Sequence, residues 1–103
     1  MSQIVYLVKI TTAPGRRDDA VAALSPLVDA TAGEDGTVQY VMHADTTDAD
    51  TIWFYEVYAD QAAFDAHVGS SAMAEVGGKL GGGLLAGPPD MRALEVIQAK
   101  GGA

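Results

Sequence analysis

Cysteine is absent from the sequence. That excludes a disulfide scaffold, a thiolate nucleophile and a cysteine-ligated metal site. Cations are scarce, six Lys and Arg against fourteen Asp and Glu, for a formal net charge of −8. A phosphate backbone calls for clustered Lys and Arg, so nucleic acid is excluded as a partner. Long apolar runs are missing too: none approaches the roughly 20 residues of a membrane span. The opening stretch, MSQIVYLVKITTAPG, has no basic region before its apolar run and no cleavage site. It reads as a strand and not as a signal peptide, and a cytoplasmic protein is the expectation. Histidine occurs only at His43 and His67, and no group of His and carboxylates has metal-ligand spacing. At 103 residues the chain has the size of one domain, residues 1–103, around one core.

What is present begins with TIWFYEVYAD, residues 51–60. β-Branched and aromatic residues dominate it, as in a buried strand. Alternation puts Ile52, Phe54, Glu56 and Tyr58 on one face and Trp53, Tyr55 and Val57 on the other. Glu56 is the odd member, because a carboxylate buried among rings is costly unless something pairs with it. Upstream, residues 3–12 form a strand with Tyr6, Val8 and Ile10 on one side, ended by Pro14-Gly15. From Arg17 to Ala32 the period becomes helical, through Ala20, Val21, Leu24, Leu27 and Val28. Asp18 and Asp19 in the first turn complement the helix dipole, and Pro26 predicts a kink. Thr37–Ala44 alternates again. His43 at its end, before the acidic loop 45–50, reads as a solvated surface residue.

Asp60 is a good N-cap for a short helix over Gln61–Val68. Ser70 or Ser71 caps another, whose apolar positions Met73, Val76, Leu80 and Leu84 predict a helix from Ser71 to Ala86. Gly77, Gly78, Gly81, Gly82 and Gly83 weaken it. They do not form a phosphate loop, since no Lys-Ser/Thr follows and no strand precedes them. Met91–Ala99 reads as the last strand and Lys100–Ala103 as a frayed tail. The order strand, helix, two strands, two helices, strand predicts an α+β, ferredoxin-like, four-stranded antiparallel sheet with helices on one face. The other face, carrying Trp53, has no cover of its own. An aromatic face left bare exceeds the apolar patch of a typical monomer, so a second copy of the chain is the expected partner.

Several stretches carry a family resemblance in their order and spacing, nearly end to end. They are Pro14-Gly15, Glu34-Asp35-Gly36-Thr37-Val38-Gln39-Tyr40, Phe54-Tyr55-Glu56-Val57-Tyr58-Ala59-Asp60, Ala63-Phe64-Asp65-Ala66-His67 and Leu84-Leu85-Ala86-Gly87-Pro88-Pro89. The chain resembles the antibiotic biosynthesis monooxygenases, a family of dimeric α+β barrels. It departs at Ala72 and Met73, where many relatives carry a second His and then Phe. The resemblance implies a cofactor-free oxygenase for quinol-, anthrone- or polyketide-like phenolic rings, with a pocket in each subunit between sheet and helices. Small aromatic substrate and O2 are then its partners, and no metal or organic cofactor is expected.

Direct reaction with O2 needs an electron-rich substrate, which deprotonation of a phenol or enol supplies. A base in a dry pocket then does the work. His67 is the candidate base, one helical turn after Phe64 and directed at the sheet. Glu56 is the candidate partner that orients it. A purely structural Glu56–His67 pair, pinning helix to sheet, is the alternative. Tyr6, Phe54, Tyr58 and Met73 are the candidate pocket lining, and Trp53 is assigned to the dimer side. Two other functions stay open. One is a small-molecule-binding dimer without turnover. The other is haem degradation, for which relatives carry an Asn, a Trp and a haem-ligating His where this chain has Val8, His67 and Gly77.

Overall fold

The computed structural model describes residues 3–101. Its elements are β1 (Ile4–Thr11), α1 (Arg17–Ala30), a 3₁₀ turn (Thr31–Gly33), β2 (Thr37–Ala44), β3 (Thr51–Tyr58), α2 (Gln61–Val68), α3 (Ser71–Leu80) and β4 (Asp90–Leu94). The sheet is antiparallel throughout, in the order β2-β3-β1-β4. This is the expected α+β, ferredoxin-like arrangement.

Register sets which side chains meet. β3 is central, and Glu56 stands opposite Tyr6 on one side and Tyr40 on the other. Phe54 stands opposite Val8 and Met42, and Ile52 opposite Ile10 and Ala44. Those residues share the helix-covered face, since partners in a ladder point the same way. Val8, Ile10, Ile52 and Phe54 pack there with Ala20, Leu24 and Leu27 of α1 and Val76 of α3. The apolar stripe of α1 is thus its buried face. Pro26 lies inside α1 on an exposed position, and the Ser25 hydroxyl donates to the Val21 carbonyl at 2.8 Å. Arg17 ties α1 to the β2–β3 loop: its guanidinium donates to the carbonyls of Asp45 and Asp48, each at 2.9 Å.

Three boundaries differ from expectation. α1 stops at Ala30, and the next residues tighten into the 3₁₀ turn. α3 stops at Leu80 rather than Ala86. Gly81–Gly83 turn the chain, with Gly83 at φ +84°, a conformation that glycine adopts without strain. Leu84 is still buried, but at the end of this turn, where its carbonyl accepts from the Ala13 N–H at 2.8 Å. The last strand covers Asp90–Leu94 rather than Met91–Ala99. Its ladder ends at Val5↔Leu94, one residue short of the start of β1 at Ile4, so β4 runs out of partner. The tail expected over Lys100–Ala103 reaches beyond the described residues at Gly102 and Ala103.

On the other face of the sheet lie Val5, Leu7, Lys9, Val41, Trp53, Tyr55 and Val57. Val5 and Val57 are buried. Residues 95–99 border a hollow of about 380 Å³ together with Val5, Tyr55 and Leu94. The segment after β4 therefore shields one end of a face that had no expected cover within the chain.

Candidate active site

α2 is placed by its cap. The Asp60 carboxylate accepts from the Ala63 N–H at 2.9 Å, as its position before the helix predicts. Phe64 then stacks on Tyr6 of β1, with ring centroids 4.8 Å apart, and meets Tyr58 edge-on at 5.3 Å. One turn on, His67 is buried with 1% exposure between Tyr40, at 4.8 Å, and Tyr58, at 5.4 Å.

The hydrogen-bond partner of His67 is Glu34, whose Oε1 lies 2.8 Å from Nδ1. The same oxygen accepts from the Thr37 hydroxyl at 2.7 Å. Backbone packing brings Glu34 there. The Ala59 N–H donates to the Gly36 carbonyl at 2.8 Å, and a β-carbon at Gly36 would collide with Ala63 of α2. Glycine alone lets this turn nest against the helix that carries His67. A carboxylate accepts, so Nδ1 carries the hydrogen, and the ring in its neutral form has its lone pair on Nε2. Nε2 is buried and has no hydrogen-bond partner among the described residues.

Glu56 is buried on the same side of the sheet and accepts from the Tyr58 hydroxyl at 2.6 Å. Burial pushes its carboxyl above the ordinary glutamate value; the Tyr58 bond, and the positive charge His67 carries when protonated, oppose that shift. The Tyr58 and Tyr40 phenols are likewise pushed up, chiefly by burial and then by neighbouring carboxylates. Both hydroxyls therefore stay protonated at any physiological pH.

Beside these groups is a cavity of about 400 Å³. Its floor is Val8, Ile10 and Phe54 of the sheet, with Tyr40 and Glu56 at the β2–β3 side. Its walls come from Leu24 and Leu27 of α1, Phe64 and His67 of α2, and Met73, Val76, Gly77 and Leu80 of α3. Pro89 and Met91 border it at the β4 edge. No Lys or Arg lines it. The polar atoms are thus gathered at the β2–β3 side, and three strand spacings of about 4.8 Å each separate β2 from β4.

Of the expected lining, Phe54 and Met73 lie on the wall. Tyr6 and Tyr58 stand behind it, packed on Phe64. His67 and Glu56 both border the cavity, but the hydrogen bonds are shared out differently from the expected pair. Tyr58 is the donor to Glu56, and Glu34 is the acceptor for His67. Glu34 and Tyr40 did not figure among the candidates. Both belong to the stretch Glu34–Tyr40 that carried the family resemblance, and Tyr40 is the register partner of Glu56. Trp53 lies on the opposite face, its indole N–H donating to Asp45 at 2.8 Å. His43 is exposed, with Nδ1 3.3 Å from the Trp53 carbonyl. Among the described residues no group of three or more His, Asp or Glu could hold a metal ion.

Fold and site together define an α+β sandwich of sheet and helices that encloses an apolar cavity with a histidine–carboxylate dyad at one end. The model of the antibiotic biosynthesis monooxygenase family matches residues 3–77, and the chain belongs to that family. Solved structures agree in fold. PA3566 from Pseudomonas aeruginosa superposes with a TM-score of 0.87 at 23% identity, over 95% of this chain and 97% of that one. Rv0793 from Mycobacterium tuberculosis gives 0.84 at 23% identity, over 95% and 98%. A protein of Caulobacter crescentus CB15 named for the same family gives 0.85 at 20% identity, over 94% and 92%. No curated protein matches the sequence.

Proposed function

We propose that the protein is a cofactor-independent monooxygenase that deprotonates a quinol, anthrone or similar phenolic ring and lets the anion react directly with O2. The observation that carries this reading is that His67 borders an apolar cavity while its buried Nε2 has no partner among the described residues. A ligand hydroxyl would supply the missing hydrogen. In the first step Nε2 takes the hydroxyl proton while Glu34 holds Nδ1–H and stabilises the imidazolium. The ring anion gives up electron density more readily, and its para carbon bonds to O2. The peroxide formed takes the proton back from His67. Loss of the remaining C–H proton with cleavage of the O–O bond then releases water and leaves a carbonyl. One oxygen atom ends in product and the other in water, and no external reductant is needed.

Glu56 sits beside this reaction with its carboxyl biased toward the neutral form, which lets it donate to a substrate oxygen. Phe54 and Met73 would contact the ring, while Tyr6 and Tyr58 hold Phe64 and Glu56 in place. The active unit is a homodimer joined through the sheet face opposite the helices.

Oxygen uptake with a panel of quinols and anthrones tests the proposal. His67→Ala is expected to lower turnover by at least about 10²-fold with the dimer retained. Uptake equal to that of the parent would remove His67 from the mechanism. Binding of the panel without any uptake by the parent protein would make the cavity a binding site without turnover.

A further inference from the structure

α3 meets the cavity along Met73, Val76, Gly77, Leu80 and Gly81. Three of these bring side chains, and two bring none. Glycine at these two positions has no backbone reason. Neither has a positive φ, a β-carbon at Gly77 would meet nothing within 4 Å, and one at Gly81 would meet only ordinary contacts at 3.5 Å and 3.7 Å. Both lie on a helix or at its C-cap, where alanine would hold the helix better. Residues four apart stand one above the other on a helix, so the two glycines leave one continuous edge of backbone bare. The cavity they border is also lined by His67, whose buried Nε2 has no partner among the described residues.

We infer that Gly77 and Gly81 set how large a ring system the cavity accepts: a flat, uncharged ligand lays one edge against the bare backbone, where a larger side chain would exclude it. This size limit rests on the cavity wall and not on the function proposed above. An uncharged ligand follows from a wall without Lys or Arg, since an anion would be stripped of water with no cation to meet it.

Fluorescence titration with 1-aminonaphthalene and 1-aminoanthracene tests this without any turnover. Gly77→Leu is expected to weaken the three-ring probe by at least about tenfold, through steric exclusion, and the two-ring probe by less than about twofold. Gly78→Leu is the control: Gly78 is on the same helix and equally uncrowded but does not border the cavity, so both affinities should hold. Undiminished binding of 1-aminoanthracene by Gly77→Leu would overturn the inference. So would an equal loss in Gly78→Leu, or failure of the parent protein to bind either probe. A ring-size effect that persists while no phenol drives oxygen uptake would sink the oxygenase reading and leave this one standing.

Discussion

Glu34 accepts two hydrogens on one oxygen, from His67 and from Thr37, and so fixes both the tautomer and the tilt of the imidazole. Glu34→Gln keeps an acceptor of the same shape but removes the charge that stabilises an imidazolium. Turnover is expected to fall by about tenfold or more with little change in melting temperature. An unchanged kcat/KM would remove the dyad from the chemistry. Glu56 gives a separate test through pH. Burial raises its folded-state pKa above the unfolded value, so the folded state binds the extra proton. Its favourable contribution is full below the ordinary glutamate value and is lost as pH rises through the folded value. Glu56→Gln mimics the neutral form. The melting temperature of the variant, compared with the parent at pH 5 and pH 8, should therefore gain relative to the parent as pH rises. A variant-minus-parent difference that falls between pH 5 and pH 8 would contradict the assignment.

At the scale of elements, α2 and α3 are held in different ways. Asp60 caps α2, and Asp60→Ala should cost about 1 kcal/mol in denaturant unfolding. That change should also loosen His67. Ser70 caps α3, accepting from the Met73 N–H at 3.2 Å, but Gly77 and Gly78 each cost its helix about 0.8–1.0 kcal/mol relative to Ala. Amide hydrogen exchange should therefore be fastest in α3 among the helices and should slow when a ligand fills the cavity. Protection equal to that of α1 in the free protein would refute this. Period and caps explain what was legible. Period-two alternation put Glu56 on the face of Phe54 and Tyr58, and the cap residue placed α2 at Gln61–Val68. Leu84 misled because burial does not reveal backbone: it keeps helical spacing but is buried from the turn that follows α3. The Glu34–His67 contact spans 33 residues and depends on how closely the turn at Gly36 approaches α2, which no local pattern encodes.

The whole molecule leaves one sheet face incompletely covered. Val41 is 40% exposed there, Leu94 45% and Ile97 96%. The indole N–H of Trp53 is already satisfied by Asp45, and Lys9 lies over its ring at 5.7 Å. The face thus offers an apolar middle at Val41, Trp53 and Tyr55, with Gln39, His43, Lys9, Asp90 and Arg92 as polar neighbours that a joint must pair or leave at its rim. Residues 95–99 protect only the end near Val5. A second copy laid against this face would bury Val41, Trp53 and Tyr55 together, and stable homodimers commonly bury more than about 2,000 Å². The net charge of −8 opposes association only weakly at physiological salt, where charges beyond about 8 Å are screened. Light scattering should therefore give twice the monomer mass at micromolar concentration. Val41→Glu, which would place a carboxylate in the middle of the joint, should shift the protein toward monomer while leaving the cavity on the other face able to bind its ligand. A parent protein that stays monomeric at that concentration would show that the segment after β4 is cover enough.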